Sequence, residues 1–139
     1  MATSHYFRVR WLLEVLAIQL SGRDYKGVYM EESILLTIKD MLGIEETYDG
    51  FDGEISVVIN SAIMSLHQIG VGPEDGFSIT GETETWADLF DEVNNIEAVK
   101  SYIHLKTRLE WDPPATSFLL EAINRQIQEL EWRLSVQVS

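Results

Sequence analysis

Apolar residues recur every three or four positions through most of the chain, which is the spacing of one face of an α-helix. The clearest stripe lies between Asp52 and Gly70. Its apolar positions are Ile55, Val58, Ile59, Ala62, Ile63, Leu66 and Ile69. We predict a helix there, with Asp52 as its N-cap and Gly70 as its stop. A shorter stripe predicts a first core helix from about Glu31 to Leu42, with Gly43 at its C-cap.

A long loop is predicted after the second helix. Residues 70–84 contain four glycines and one proline, which interrupt any regular periodicity. Phe77 and Ile79 are expected to point inward and anchor this loop. Thr85 and Asp88 have the spacing of a capping box, so a short helix is predicted to begin there and to run to about Asp91.

Two helices are predicted in the last third of the chain. Asn94 or Asn95 caps the first, which runs to about Glu110, because Pro113 disfavours the α conformation in the residue before it. The last helix is predicted to open at Asp112 or Pro114, since proline fits a first helical turn. Its apolar stripe has the three-four step of a heptad: Leu120, Ile123, Ile127, Leu130 and Leu134.

The sum of these elements is an all-α fold. We predict a compact bundle of four to five helices, with one long loop between the second and third core helices. Val136 and Val138 alternate with polar residues, which predicts an extended C-terminal tail. The second and last helices supply about a dozen of the apolar positions and are expected to pack against each other. Residues 30–134 form the helical domain in this division, and residues 135–139 form a docking tail.

Residues 1–29 differ in charge from the rest of the chain. They carry a net charge of +2, whereas residues 30–139 hold 6 Lys+Arg and 21 Asp+Glu. Two hypotheses stay open for this segment. One is an amphipathic arm helix from about Tyr6 to Leu20. The other is a translated leader, because the codons for Lys26 to Met30 can contain a ribosome-binding sequence and a start codon.

The overall charge excludes several classes of function. Ten Lys+Arg stand against 23 Asp+Glu, a formal net charge of −13. Binding of duplex DNA or RNA needs cations that replace phosphate counterions, and docking on anionic lipid needs them too. The chain has no cysteine, so disulfides, zinc–thiolate sites and cysteine nucleophiles are excluded.

No residue constellation predicts catalysis or a cofactor. His5, His67 and His104 lack the spacing of metal ligands, and no serine lies in a nucleophile elbow. The segment that begins at Asp49 faintly resembles a calcium loop, but Phe51 occupies its third position and the twelfth is not a glutamate. We therefore expect a protein without enzymatic activity and without a cofactor.

Two surface features are candidates for function. Asp88, Asp91 and Glu92 belong to an acidic run, which is either a solvated face or a surface that repels DNA or meets a basic partner. Trp132 lies off the apolar stripe of the last helix and beside Arg133, and both residue types are enriched in interface hot spots. Trp132 is therefore either a docking residue or part of a local core edge.

The order and spacing of several segments resemble the head–tail connector (head-completion adaptor) proteins of long-tailed bacteriophages and prophages. The resemblance covers residues 30–139. The segments that carry it are Met30–Gly43, Phe51–Ile55, Ile59–Ala62, Gly70–Pro73, Thr85–Trp86, Tyr102–Leu109, Asp112–Pro114 and Glu129–Leu134.

The resemblance implies a non-enzymatic virion protein that forms a ring beneath the portal after DNA packaging. It implies three partners: the portal protein, a downstream neck or tail-completion protein, and further copies of the chain. The protein would reside in the host cytoplasm before assembly and in the virion neck afterwards. Docking by the C-terminal segment would fall on Trp132, Arg133, Val136 and Val138. Asp88, Asp91 and Glu92 would line the DNA channel and repel phosphates over about 8 Å, the Debye length at physiological salt.

One alternative belongs to a different class. A small acidic regulator that mimics DNA and occupies a basic partner would share the charge and the size of this chain. A connector is part of the particle, whereas a mimic is free in the host cell.

Overall fold

The computed structural model describes residues 30–90 and 95–138, and the predicted arm or leader in residues 1–29 lies outside them. Within these ranges the chain forms five helices and no strand, which confirms the all-α prediction. An isolated bridge joins Ser33 to Thr85. The helices are α1 (Ile34–Met41), α2 (Asp52–Gln68), α3 (Trp86–Leu89), α4 (Ile96–Trp111) and α5 (Ser117–Val138). No helix of the described part is both long and apolar enough to cross a membrane.

Helix α4 is the centre of the bundle, because it packs against both α2 and α5. It also contacts α1, and Tyr102 and Ile103 in its middle are both fully buried. The hydroxyl of Tyr102 donates a hydrogen bond of 2.8 Å to Glu131 Oε1 on α5. The expected packing of the second helix against the last is wrong: α2 and α5 make no extensive contact, because α4 separates them.

The start of α5 lies later than the sequence predicted. Helix α4 ends at Trp111, and α5 begins at Ser117 rather than at Asp112 or Pro114. Thr116 supplies the local reason, since its Oγ1 accepts a hydrogen bond of 3.3 Å from the backbone N–H of Leu119. A threonine that caps an orphan N–H fixes a helix start more strongly than a proline that is only compatible with one.

The predicted extended tail is wrong as far as Val138, because α5 continues through that residue. Leu134 is buried and lies one heptad after Ile127, so core packing holds the last turns in helical geometry. No glycine or proline follows Leu134 to end the helix. The alternation of two valines with polar residues is too short to outweigh these factors.

The long loop and α3 are anchored largely as predicted. Ile79 is buried and Phe77 half-buried, and the Asn60 side chain of α2 exchanges two hydrogen bonds with the Ile79 backbone, of 2.7 and 3.0 Å. Thr85 and Asp88 form the predicted capping box, but α3 ends at Leu89. Residues 91–94 lie outside the described part. The two predicted helix stops are confirmed, since glycines 43 and 70 follow the caps of α1 and α2 with positive φ.

The loop between α1 and α2 is held by a buried lysine. Lys39 is fully buried, and its Nζ lies 3.1 Å from the carbonyl oxygen of Glu46 and 2.6 Å from that of Tyr48. The same ammonium lies 2.8 Å from Asp52 Oδ1. Asp52 is therefore not the predicted N-cap: Phe51 occupies that position without a side-chain cap, and Asp52 is the first helical residue. The loop that faintly resembled a calcium site is organised around an ammonium group of the chain itself.

We expect Lys39→Met to lower the free energy of unfolding by about 3 kcal/mol, because it leaves the Asp52 carboxylate and two carbonyl groups without their cation. Urea unfolding followed by circular dichroism measures the change. Lys106→Met, which removes a lysine from a more exposed position, is the control and should cost less than about 1 kcal/mol. Equal losses for the two variants would contradict the assigned role of Lys39.

Candidate docking surfaces

The predicted docking residues lie on the outer surface of α5, near its C-terminus. Trp132 has a relative exposure of 67%, which places it outside the core. Val136 is also exposed and follows Trp132 by one helical turn, so the two side chains share a face. Arg133 is exposed, and its guanidinium forms a 2.7 Å ion pair with Glu129 on the preceding turn. Val138 belongs to the same helix, and its side chain lies outside the described part. We call Trp132, Arg133 and Val136 the C-terminal end.

The predicted acidic face is only partly described. Asp88 is exposed, but its carboxylate also accepts a 2.9 Å hydrogen bond from the backbone N–H of Thr85. Asp91 and Glu92 lie outside the described residues. Asp88 therefore has a structural role in the capping box besides its charge. The repulsion of DNA by this face stays a prediction.

Glu84, a neighbour of this face, also has a local partner. Its carboxylate accepts hydrogen bonds of 2.7 Å from the Thr80 hydroxyl and 3.0 Å from the Thr80 backbone N–H. The bond from the Thr80 hydroxyl is the main cause that lowers the pKa of Glu84. Some carboxylates in this region therefore stabilise the loop through hydrogen bonds, in addition to making the surface negatively charged.

Aromatic side chains are partly exposed at the opposite end of the bundle. The ring of Phe51, at the start of α2, lies 4.9 Å from the ring of Trp111, at the end of α4. The ring of Tyr48 lies 5.3 Å from that of Phe51, also in an edge-on arrangement. Phe51 and Tyr48 are both exposed, whereas Trp111 is partly buried against the core. The three rings therefore form a row that solvent reaches.

The first turns of α5 are exposed at the same end. Helices α4 and α5 run antiparallel, and the Tyr102–Glu131 hydrogen bond fixes their register. In this register α5 begins about one turn beyond Trp111, so α4 does not cover its start. Phe118 has a relative exposure of 79%, and Leu119 and Leu120 are exposed as well. We call this surface the aromatic end; it comprises Tyr48, Phe51, Trp111, Phe118, Leu119 and Leu120.

The sequence analysis missed the aromatic end, although the chain contained a signal for it. Leu120 was assigned to the core stripe of the last helix, but the structure leaves it exposed. Phe118, Leu119 and Leu120 are consecutive, and three consecutive helical residues spread over most of the circumference. One packed face cannot cover all three, so the run itself indicated an exposed apolar surface.

The described residues hold no cluster suited to metal binding. His67 is exposed, and its Nε2 lies 3.0 Å from the carbonyl oxygen of Glu74, a contact that helps to close the long loop. Burial lowers the pKa of His104, and the nearby Arg108 lowers it further. Lys100 is buried with its Nζ 5.5 Å from the centre of the Trp86 ring, and burial lowers its pKa. Lys100 and His104 lie one turn apart on α4, whereas His67 lies in the last turn of α2.

The geometry defines a class of protein: a helical bundle with exposed apolar side chains at both ends of α5, the longest helix of the described residues. The 22 residues of α5 span about 33 Å between those ends. A family model described as phage connector protein matches residues 34–139. The chain therefore belongs to the phage connector protein family. It is a structural protein of the phage virion that contacts other head or tail proteins.

Family membership confirms the resemblance that the sequence suggested. No curated protein and no solved structure matches the chain.

We expect Trp132→Ala to change the free energy of unfolding by no more than about 0.5 kcal/mol, because the side chain is exposed. Trp86→Ala should cost about 3–5 kcal/mol, because that ring is fully buried and its indole N–H donates a 3.1 Å hydrogen bond to Thr37. Urea denaturation of both variants measures the difference. A decrease of more than 2 kcal/mol in the free energy of unfolding of Trp132→Ala would indicate that this side chain belongs to the core.

Proposed function

We propose that this protein forms a ring between the portal and the tail, where it completes the head and extends the DNA channel without catalysing a reaction. The observation that supports this most strongly is an exposed apolar surface at each end of α5, in a chain that belongs to the phage connector family. An adaptor needs two separate docking surfaces, one for the portal protein and one for the neck or tail-completion protein below.

The C-terminal end is proposed as one of the two docking surfaces. Trp132 is a large exposed side chain, and such residues become hot spots when a partner buries them. Arg133 and Val136 flank it on the outside of the helix. Val138 extends the same segment. We assign these four residues to contact with a neighbouring virion protein, as the sequence predicted.

Contacts between copies in the ring require a surface on which acidic chains can approach. The outer face of α2 is suited to this role. Val57 and Met64 are exposed there, seven residues apart and therefore on one side of the helix. No charged residue occurs from Ile55 to Leu66. Ring contacts are heterologous, so this face would meet a different surface of the next copy.

We expect particles to contain this protein at a fixed, low copy number comparable to that of the portal. Trp132→Ala combined with deletion of residues 136–139 should keep the helical circular dichroism but stop assembly, because Leu134 and the core remain while the docking surface is lost. Quantitative mass spectrometry of purified particles measures the copy number and the incorporation of the variant.

The control for this experiment is Gln128→Ala, an exposed change on the same helix that should assemble normally. Normal assembly of the docking variant would contradict the assignment of the C-terminal end as a docking surface. Absence of the wild-type protein from clean particles, with the protein present in the host lysate, would instead favour the acidic DNA mimic.

The proposed repulsion of DNA is tested best by neutral variants that keep their hydrogen bonds. Asp88→Asn retains an oxygen that can accept the bond from Thr85, whereas Asp88→Lys loses the capping box at a cost of about 1 kcal/mol. We expect Asp88→Asn, Asp91→Asn and Glu92→Gln together to slow genome ejection, because DNA would interact more strongly with the less acidic wall.

The rate of ejection from purified particles, followed by the fluorescence of a DNA dye, measures this effect. Thermal unfolding of the free protein should be unchanged for the neutral variants. An ejection rate equal to that of the wild type would contradict the proposed repulsion and would indicate that these residues only form a solvated face.

A further inference from the structure

We infer that the aromatic end docks a basic protein segment that carries an apolar anchor. The inference deepens the proposed function and rests on it only in taking the partner to be another virion protein. It assigns to this end a kind of partner that the family relationship alone does not specify.

Uncovered apolar area is the first observation that carries the inference. Every residue from Ser117 to Glu121 is exposed, because α5 begins beyond the end of α4. The run includes Phe118, whose ring no other element of the bundle buries. Exposed large apolar side chains that cluster at one end of a helix mark candidate interaction sites on soluble proteins. Aromatic side chains at the centre of such a site are the residues that supply most of the binding energy in interfaces.

The charge around this surface is the second observation. Exposed carboxylates flank the residues of the aromatic end along the chain, and they come from the α1–α2 loop, the first turn of α2, the last turn of α4, the α4–α5 connection and the start of α5. They are Glu45, Asp49, Glu54, Glu110, Asp112 and Glu121. No lysine or arginine occurs in residues 40–57 or 109–124, and Arg108 and Arg125 border the second segment. The carboxylates still outnumber these two cations. Lys39, the nearest lysine before the first of these segments, is buried and paired with Asp52.

An aromatic centre with an acidic rim selects its occupant by charge complementarity. Nucleic acid and anionic lipid are repelled by the rim. Two copies of this chain are disfavoured from pairing end to end here, because both would present the same exposed carboxylates. A partner segment with lysine or arginine beside a leucine, phenylalanine or similar anchor satisfies both parts of the surface.

A titration of the free, full-length protein tests the inference. The probe is an amphipathic peptide of leucine and lysine, added to ¹⁵N-labelled protein. The chain has four tryptophans, and Trp11 lies outside the described residues. The indole N–H resonances of the other three report on different places: Trp111 on the aromatic end, Trp132 on the C-terminal end and Trp86 on the core. We expect the peptide to shift the Trp111 resonance and to leave that of Trp86 in place. Binding should weaken as salt rises, because ionic screening shortens the reach of the rim charges.

Two matched variants and two matched peptides sharpen this test. Phe118→Ala removes a side chain that the fold does not bury, and it should weaken binding at least tenfold. Gln126→Ala removes an exposed side chain of the same helix that belongs to neither docking surface, and it should have no effect. A lysine–serine peptide of the same charge lacks the anchor, and a leucine–glutamate peptide lacks the positive charge. Both should bind at least tenfold more weakly than the leucine–lysine peptide.

Several results would overturn the inference. Equal affinity for wild type and Phe118→Ala would show that the apolar surface is not used, and equal affinity for either control peptide would remove the basic or the apolar requirement. A shift of Trp111 with protein concentration alone would identify a second copy as the occupant. The titration needs no particles, so absence of the protein from virions would refute the proposed function without deciding this result.

Discussion

The burial of α4 on two sides is the constraint on which the rest of the bundle depends. Helix α4 packs against α2 on one side and against α5 on another, and Tyr102 and Ile103 in its middle are both fully buried. The second covered side requires a partner, and α5 supplies it through the Tyr102–Glu131 hydrogen bond. Burial of the tyrosine raises its pKa, and the bond to Glu131 raises it further, so the hydroxyl stays protonated and remains a donor. Because α4 fills the centre, the outer faces of α2 and α5 are left for contacts outside the subunit.

The acidic composition has two physical uses that the net charge does not distinguish. Some carboxylates stabilise local structure: Asp52 neutralises the buried Lys39, and Asp88 completes a capping box. Others have no such contact among the bonds described above and flank exposed aromatic residues along the chain. A change of charge therefore affects either the fold or the surface, depending on the residue. Lys39 illustrates the first case, since a single ammonium organises a loop that would otherwise contain unpaired carbonyl groups.

The sequence predicted where most of the helices lie, but it did not predict which helices pack against each other. Apolar periodicity located the longer helices, because a helix can bury one stripe of side chains only if apolar residues recur every three or four positions. The spacing of Thr85 and Asp88 predicted the start of α3, because a capping box is a local hydrogen-bond pattern. Which helices touch depends on three-dimensional packing, so the central position of α4 was not predicted. The start of α5 was misplaced because Pro113 and Pro114 gave a strong signal, whereas Thr116 gave a weak one. The exposure of Trp132 agrees with its position off the stripe; the exposure of Leu120 follows from the length of α4, which periodicity does not define.

The overhang of α5 links the fold to the proposed function. Antiparallel helices of unequal length must leave one end of the longer helix uncovered, and α5 has 22 residues against 16 in α4. Because the register places the C-terminal turns of α5 level with the start of α4, the excess length falls at the aromatic end. A protein that acted alone would gain by replacing Phe118 with a polar residue, since exposed apolar area costs free energy in water. When a partner covers this end, burial of the same side chain contributes favourable binding free energy. The unequal helix lengths thus have a physical rationale in assembly that the isolated subunit does not provide.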